Sequence, residues 1–163
     1  TFIEVGDRFY YATFIIDVYT KKIVGYQVAD HLRATANVQA LKMAIRYHPA
    51  PKIHHSDRGH QYLYHEYTDL LKSMGTSLSM AKIAQDNAYA ERINKTIKEE
   101  YLDYWKPRSY NELKQMIRKA VEHYNQKRHH NHLGNVSPVN FENSLSGISY
   151  RKIITIFNNE LVT

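Results

Sequence analysis

The sequence predicts an α/β domain on a mixed sheet, three antiparallel strands followed by two parallel ones, with helices alongside. Two observations carry that expectation. Three short β-prone runs joined by polar turns open the chain, and the apolar spacing then turns helical and continues as strand, helix and strand. The pattern alone is shared by several α/β folds.

The first run, Phe2-Ile3-Glu4-Val5, ends at the turn signal Gly6-Asp7. The second covers residues 9–17, and polar Tyr19-Thr20-Lys21-Lys22 separates it from a third over 23–28. Such short connections predict an antiparallel meander. Ala34, Val38, Leu41 and Ile45 then recur at helical spacing until Pro49-Ala50-Pro51 ends the helix. Residues 52–56 read as a strand, 62–74 as a helix with Gly75 at its end, and 76–80 as a strand. A strand–helix–strand unit requires a parallel crossover.

Residues 81–85 read as a loop, and Asp86 or Asn87 as the cap of a helix reaching about Trp105, stopped by Pro107. Ser109 caps another helix to about Gln126, with Leu113, Met116, Ile117, Ala120, Val121 and Tyr124 as its apolar face. The remainder reads as loop, with a terminal segment, 148–161, of undetermined type.

At 163 residues the chain can bury one ordinary core. With 43% hydrophobic and 23% charged residues it fits a folded domain rather than a disordered segment. No apolar run approaches the roughly 18 residues that would suggest a membrane span. The opening residues read as the middle of a strand, not a targeting leader. The absence of Cys excludes disulfides and thiolate metal sites. A net charge of +6 favours a polyanionic partner, nucleic acid first.

Three strings stand out: His54-His55-Ser56-Asp57-Arg58-Gly59-His60-Gln61-Tyr62; Asp86-Asn87-Ala88-Tyr89-Ala90-Glu91; and Tyr124-Asn125-Gln126-Lys127-Arg128-His129-His130-Asn131-His132-Leu133-Gly134, followed by Ser137-Pro138. Together and in this order they resemble the integrase core (DDE) domain of bacterial insertion-sequence transposases, relatives of retroviral integrases. The resemblance covers residues 1–142 and leaves 143–163 as an extension of unknown role. It implies a ribonuclease-H-like fold and metal-dependent DNA cleavage and strand transfer. It also implies double-stranded DNA partners (element ends and target), self-association and a bacterial cytoplasmic, nucleoid-associated setting.

Two-metal phosphodiester chemistry needs carboxylates that converge on a pair of Mg²⁺ or Mn²⁺ ions. By resemblance Asp57 is the second acid of the triad and Glu91 the third. Between them lie residues 58–90, 33 in all, slightly fewer than is usual in the family. Singly, Asp57 reads equally as a turn former and Glu91 as a solvated first-turn acid. Asp86 reads as a cap.

The family's first Asp stands in a string D-I-T-[YF]-I. Thr1-Phe2-Ile3 matches its last three places, which puts that Asp two residues before Thr1. The expectation is therefore a core cut within its first strand and inactive as it stands; the alternative is a catalytically dead nucleic-acid-binding domain from a decayed element. Asp17, at the end of the second strand, is the substitute metal-ligand candidate. Lys95 and Lys98 share a helical face with Glu91, opposite Ile93, Ile97 and Tyr101. With Arg58, Arg128 and His129 they are the expected DNA contacts. A zinc site at the histidines is not expected, since neither Cys nor an HExxH string accompanies them.

Overall fold

In the computed structural model, residues 1–56, 64–81 and 88–145 are described in full and 153–157 as backbone. Strands β1 (Phe2–Val5), β2 (Arg8–Asp17) and β3 (Ile23–Ala29) form the expected meander, with Gly6 at φ +59° in the first turn. Helix α1 (Ala34–Tyr47) crosses to β4 (Ile53–Ser56), and α2 (His65–Ser73) connects to β5 (Ser77–Met80), parallel to β4.

Helix α3 (Ala88–Ile97) runs into a π turn, Lys98–Leu102, and a short α segment, α4 (Asp103–Trp105). Lys106, at φ +48°, breaks the run one residue before Pro107. Helix α5 (Tyr110–Gln126) starts where the Ser109 side chain accepts a hydrogen bond from Glu112 N.

One stretch departs from expectation, and another that was left undetermined takes a definite form. The stretch after α5, expected as loop, contains a 3₁₀ turn, Asn131–Leu133, and α6 (Pro138–Ser144). Ser137 caps α6 and Pro138 opens it, the favourable order for a helix start. The terminal segment supplies a sixth strand, β6 (Ile153–Phe157), antiparallel to β2 and parallel to β4. The sheet thus has the five expected ranks, with β1 and β6 sharing the one beside β2.

Side chains on the two sheet faces enter two cores. Phe14, Ile16 and Ala12 of β2, with Ile3 and Val5 of β1, pack against Ile93 and Ile97 of α3 and Leu113, Ile117 and Val121 of α5. Ile15 and Val24 pack on the other face against Val38, Leu41 and Ala44 of α1 and Tyr67 and Leu71 of α2. Gly25 lets α1 come close: a Cβ there would stand 2.3 Å from Ala40 O. The strand alternation therefore fixes which residues can meet α3, the helix that bears Glu91.

Candidate metal and DNA site

Glu91 lies in the first turn of α3, exposed, and engages no described residue. A helix N-terminus favours a negative side chain there, and its oxygens are left open. Asp57, Arg58 and Asp86 lie outside the described residues, Asp57 directly after the last residue of β4. Among the described residues no three His, Asp or Glu side chains cluster as a metal cage would.

Asp17 is fully buried at the end of β2. Its Oδ1 accepts from Tyr19 N at 3.0 Å, and its own N donates to Lys22 O at 2.9 Å. These bonds close the β2–β3 turn, the common work of an Asp at such a position.

The helical face behaves as expected where burial decides it: Ile93, Ile97 and Tyr101 are buried, and Lys95 is exposed with Nζ 3.7 Å from Glu99. Lys98 diverges from Lys95. It opens the π turn, is half-buried, and lines a cavity with the β1–β2 hairpin. Burial draws its ammonium below the usual lysine range, with Asp103 opposing.

The third string works as a clamp. Tyr124 is buried in the core. Asn125 exchanges two bonds with the backbone of Ile23, donating from Nδ2 to its O at 2.8 Å and accepting from its N at 2.9 Å. Arg128 donates from Nε and one terminal nitrogen to the two oxygens of Glu100, both at 2.6 Å. That hydrogen bond holds the Glu100 carboxyl below the usual range, against partial desolvation. His130 packs edge-on to Tyr124, and its ring is pushed down to about 4, first by burial and then by Arg128. His129 is exposed beside it.

Beside this clamp, between α3 and the segment after α5, lies a cavity of about 430 Å³. Lys21, Arg92, Arg128 and His129 line it, with Tyr89 and Tyr124 as aromatic walls. The Lys21 ammonium sits 3.9 Å from the centre of the Tyr89 ring. Lys21 and Arg92 were not among the expected DNA contacts: Lys21 is remote in sequence from the three strings, and Arg92 is one turn position away from the face chosen. The Glu100–Arg128 pair had no local signal either, since 27 residues separate the partners.

Comparison with known proteins agrees with this architecture. The integrase core domain family matches residues 1–85, and a second integrase core domain profile matches residues 73–138. An insertion element IS600 uncharacterized 31 kDa protein of Shigella sonnei is 36% identical over 146 residues, covering 86% of this chain and 54% of that protein. The transposase for insertion sequence element IS629 of the same species is 35% identical over 147 residues, covering 87% of this chain and 49% of that one. The chain thus spans about half the length of the curated relatives it matches. Among solved structures, the HTLV-2 integrase catalytic core domain in complex with magnesium superposes with a TM-score of 0.71 at 19% identity, over 86% of this chain and 90% of that one. The fold is ribonuclease-H-like, and the chain belongs to the integrase core domain family, alongside insertion-sequence transposases.

Proposed function

We propose that residues 1–142 form the catalytic core of a DDE transposase that cleaves DNA and transfers the cut strand in transposition, with Asp57 and Glu91 as its second and third acids. The observation that carries this reading is Glu91, an exposed carboxylate with no partner among the described residues, at the start of a helix packed on β6, the strand beside β4. Asp57 follows β4 directly in the sequence and joins Glu91 in this reading through the resemblance of its string. Both are hard oxygen donors, which suits Mg²⁺ or Mn²⁺. Bound there, such ions would activate the attacking water or 3′-hydroxyl and stabilise the leaving oxygen.

The protein's own groups orient the nucleic acid. Lys95, Lys21 and Arg92 lie on or beside α3 and can meet phosphates, with Arg58 and His129. Arg128 contributes mainly by fixing the clamp, because Glu100 balances its charge. Lys98, half-buried against the hairpin, is the weaker contact. Asp17 is kept as a minor ligand candidate, occupied in part by its turn. DNA ends and target, self-association, and a bacterial cytoplasmic, nucleoid-associated setting complete the reading.

By the resemblance, the family's first acid is expected two residues ahead of Thr1, and the triad would be complete only with it. The competing reading is a catalytically dead DNA-binding domain from a decayed element, a role that the basic lining of the cavity beside α3 (Lys21, Arg92 and Arg128) would serve equally. A strand-transfer assay with Mg²⁺ separates the two. Chain 1–163 is compared with the same chain extended by Val-Thr-Asp-Ile ahead of Thr1. Activity confined to the extended chain, and abolished by Asp57→Asn or Glu91→Gln, supports the enzyme; DNA binding without activity in both supports the dead domain.

A further inference from the structure

The cavity between α3 and the clamp has a neighbour of about 490 Å³. Lys21, Tyr89 and His132 line both, and Tyr19 and Phe141 line the second alone. Tyr89, in the first turn of α3, is 49% exposed. Lys21 stands at the shared boundary with a left-handed backbone, φ +61°. Its Nζ donates to Val18 O at 2.6 Å and lies 3.9 Å from the centre of the Tyr89 ring. In the second cavity the half-exposed Tyr19 ring is tilted against Phe141, with 5.8 Å between their centres. No described Asp or Glu lines either cavity.

Paired DNA has little use for such a lining. A duplex turns its phosphates outward and keeps its bases stacked inside, so an open basic surface is enough to hold it. Rings set in concave, cationic walls suit a base that has lost its pairing partner. Such a base can stack on a tyrosine while its phosphate meets an ammonium or guanidinium. Every base has a π face, so the fit asks for no particular sequence. Two cavities in series, each with its own aromatic wall, match consecutive nucleotides of a strand better than one free nucleotide.

We propose that the two cavities form a track for unpaired nucleotides, with one base against Tyr89, the next against Tyr19, and Lys21 and Arg92 on the phosphates. That the strand is DNA rests on the proposed function. Tyr89 and Arg92 flank Glu91 on α3, so the unpaired stretch would lie beside the candidate metal acid.

Binding in EDTA tests the track without the metal site, so failure of the catalytic reading would leave the result standing. Chain 1–163 is titrated, by fluorescence anisotropy, with three DNAs: a blunt duplex, the same duplex with a two-nucleotide 5′ or 3′ tail, and that duplex with the tail made abasic. The better-bound tailed duplex should bind about tenfold more tightly than the blunt one, and the abasic tail should lose this gain. Tyr89→Ala should remove the preference and Tyr89→Phe should keep it, because the ring stacks and the hydroxyl does not. Tyr19→Ala should remove only the part of the gain that the second nucleotide adds. Tyr104→Ala, at an 83% exposed ring on α4 outside both cavities, should keep the preference whole. A free deoxynucleoside monophosphate in large excess should not displace the tail. Equal affinity for blunt and tailed duplexes, or an abasic tail bound as well as a normal one, would overturn the inference. So would equal losses on both duplexes in Tyr89→Ala, a loss of preference in Tyr104→Ala, or displacement by the free nucleotide.

Discussion

Glu91 and Glu100 lie nine residues apart on one continuous helical run, and their surroundings differ in kind. Glu100 gives both oxygens to Arg128 at 2.6 Å and thereby ties the π turn to the end of α5. Glu91 gives its oxygens to no described residue and stands exposed in the first turn of α3. A carboxylate that fixes a fold is already satisfied; one that serves chemistry must keep its oxygens for something that arrives. The same division separates the flanking cations: Arg128 is bound to Glu100, Lys95 lies on the surface, and Lys98 is half-buried.

The contrast predicts opposite responses to isosteric replacement. Glu91→Gln in an active, N-terminally extended protein should lower strand transfer by about 100-fold or more. The same change should leave folding stability within about 0.5 kcal/mol, as for exposed positions. Equal losses of activity and stability on thermal unfolding would erase the distinction between the two acids.

A second effect comes from His54 on β4, buried and hydrogen-bonded through Nε2 to the Tyr67 hydroxyl at 3.0 Å. Burial, with a smaller push from His55, lowers its ring to about 3. Because the folded value lies below the unfolded one near 6.5, the unfolded chain binds the extra proton as pH falls. Stability is therefore full above pH 6.5 and declines from there towards pH 3. Urea unfolding should show about 2 kcal/mol less stability at pH 5 than at pH 7 from this group, and His54→Gln should shrink that difference.

Arg128→Ala should cost about 1 kcal/mol, since the pair is only partly shielded. Glu100 adds a pH signature of the opposite kind to the histidine's. Its folded value is depressed, so its contribution is present above the unfolded carboxylate value and fades as pH falls through the folded one. Urea unfolding of Arg128→Ala below pH 4.5 should lack that fading. The smallest effect belongs to Lys95→Ala: about 0.3 kcal/mol of stability, from the exposed pair with Glu99. Its DNA affinity should fall across all sequences, with a salt slope lower by about 1. An unchanged slope would remove Lys95 from the phosphate contacts.

Local signals explain most of what the sequence made legible. Alternating runs and short turns specify β1 to β3, helical spacing specifies α1 and α5, and Ser109 marks the start of α5 in both sequence and structure. Glu91 was legible through its string, and its exposure follows from the buried stripe at Ile93 and Ile97. Long-range pairing was not legible. Arg128 read as a DNA contact because nothing near it announces Glu100, and Asn125 gave no hint that it would cap the backbone of Ile23. Lys98 is half-buried where the π turn begins, and nothing local in the sequence marks that turn. Strand β6 stayed ambiguous because its apolar run acquires a meaning only from the groove that it enters.

The most direct test of the account is a double-mutant cycle on Mn²⁺ binding, by calorimetry, in the N-terminally extended protein. If Asp57 and Glu91 hold the same ions, each of Asp57→Asn and Glu91→Gln should weaken binding by about tenfold or more, and the pair together little further. Binding that survives both substitutions, or losses that simply add, would contradict a shared site.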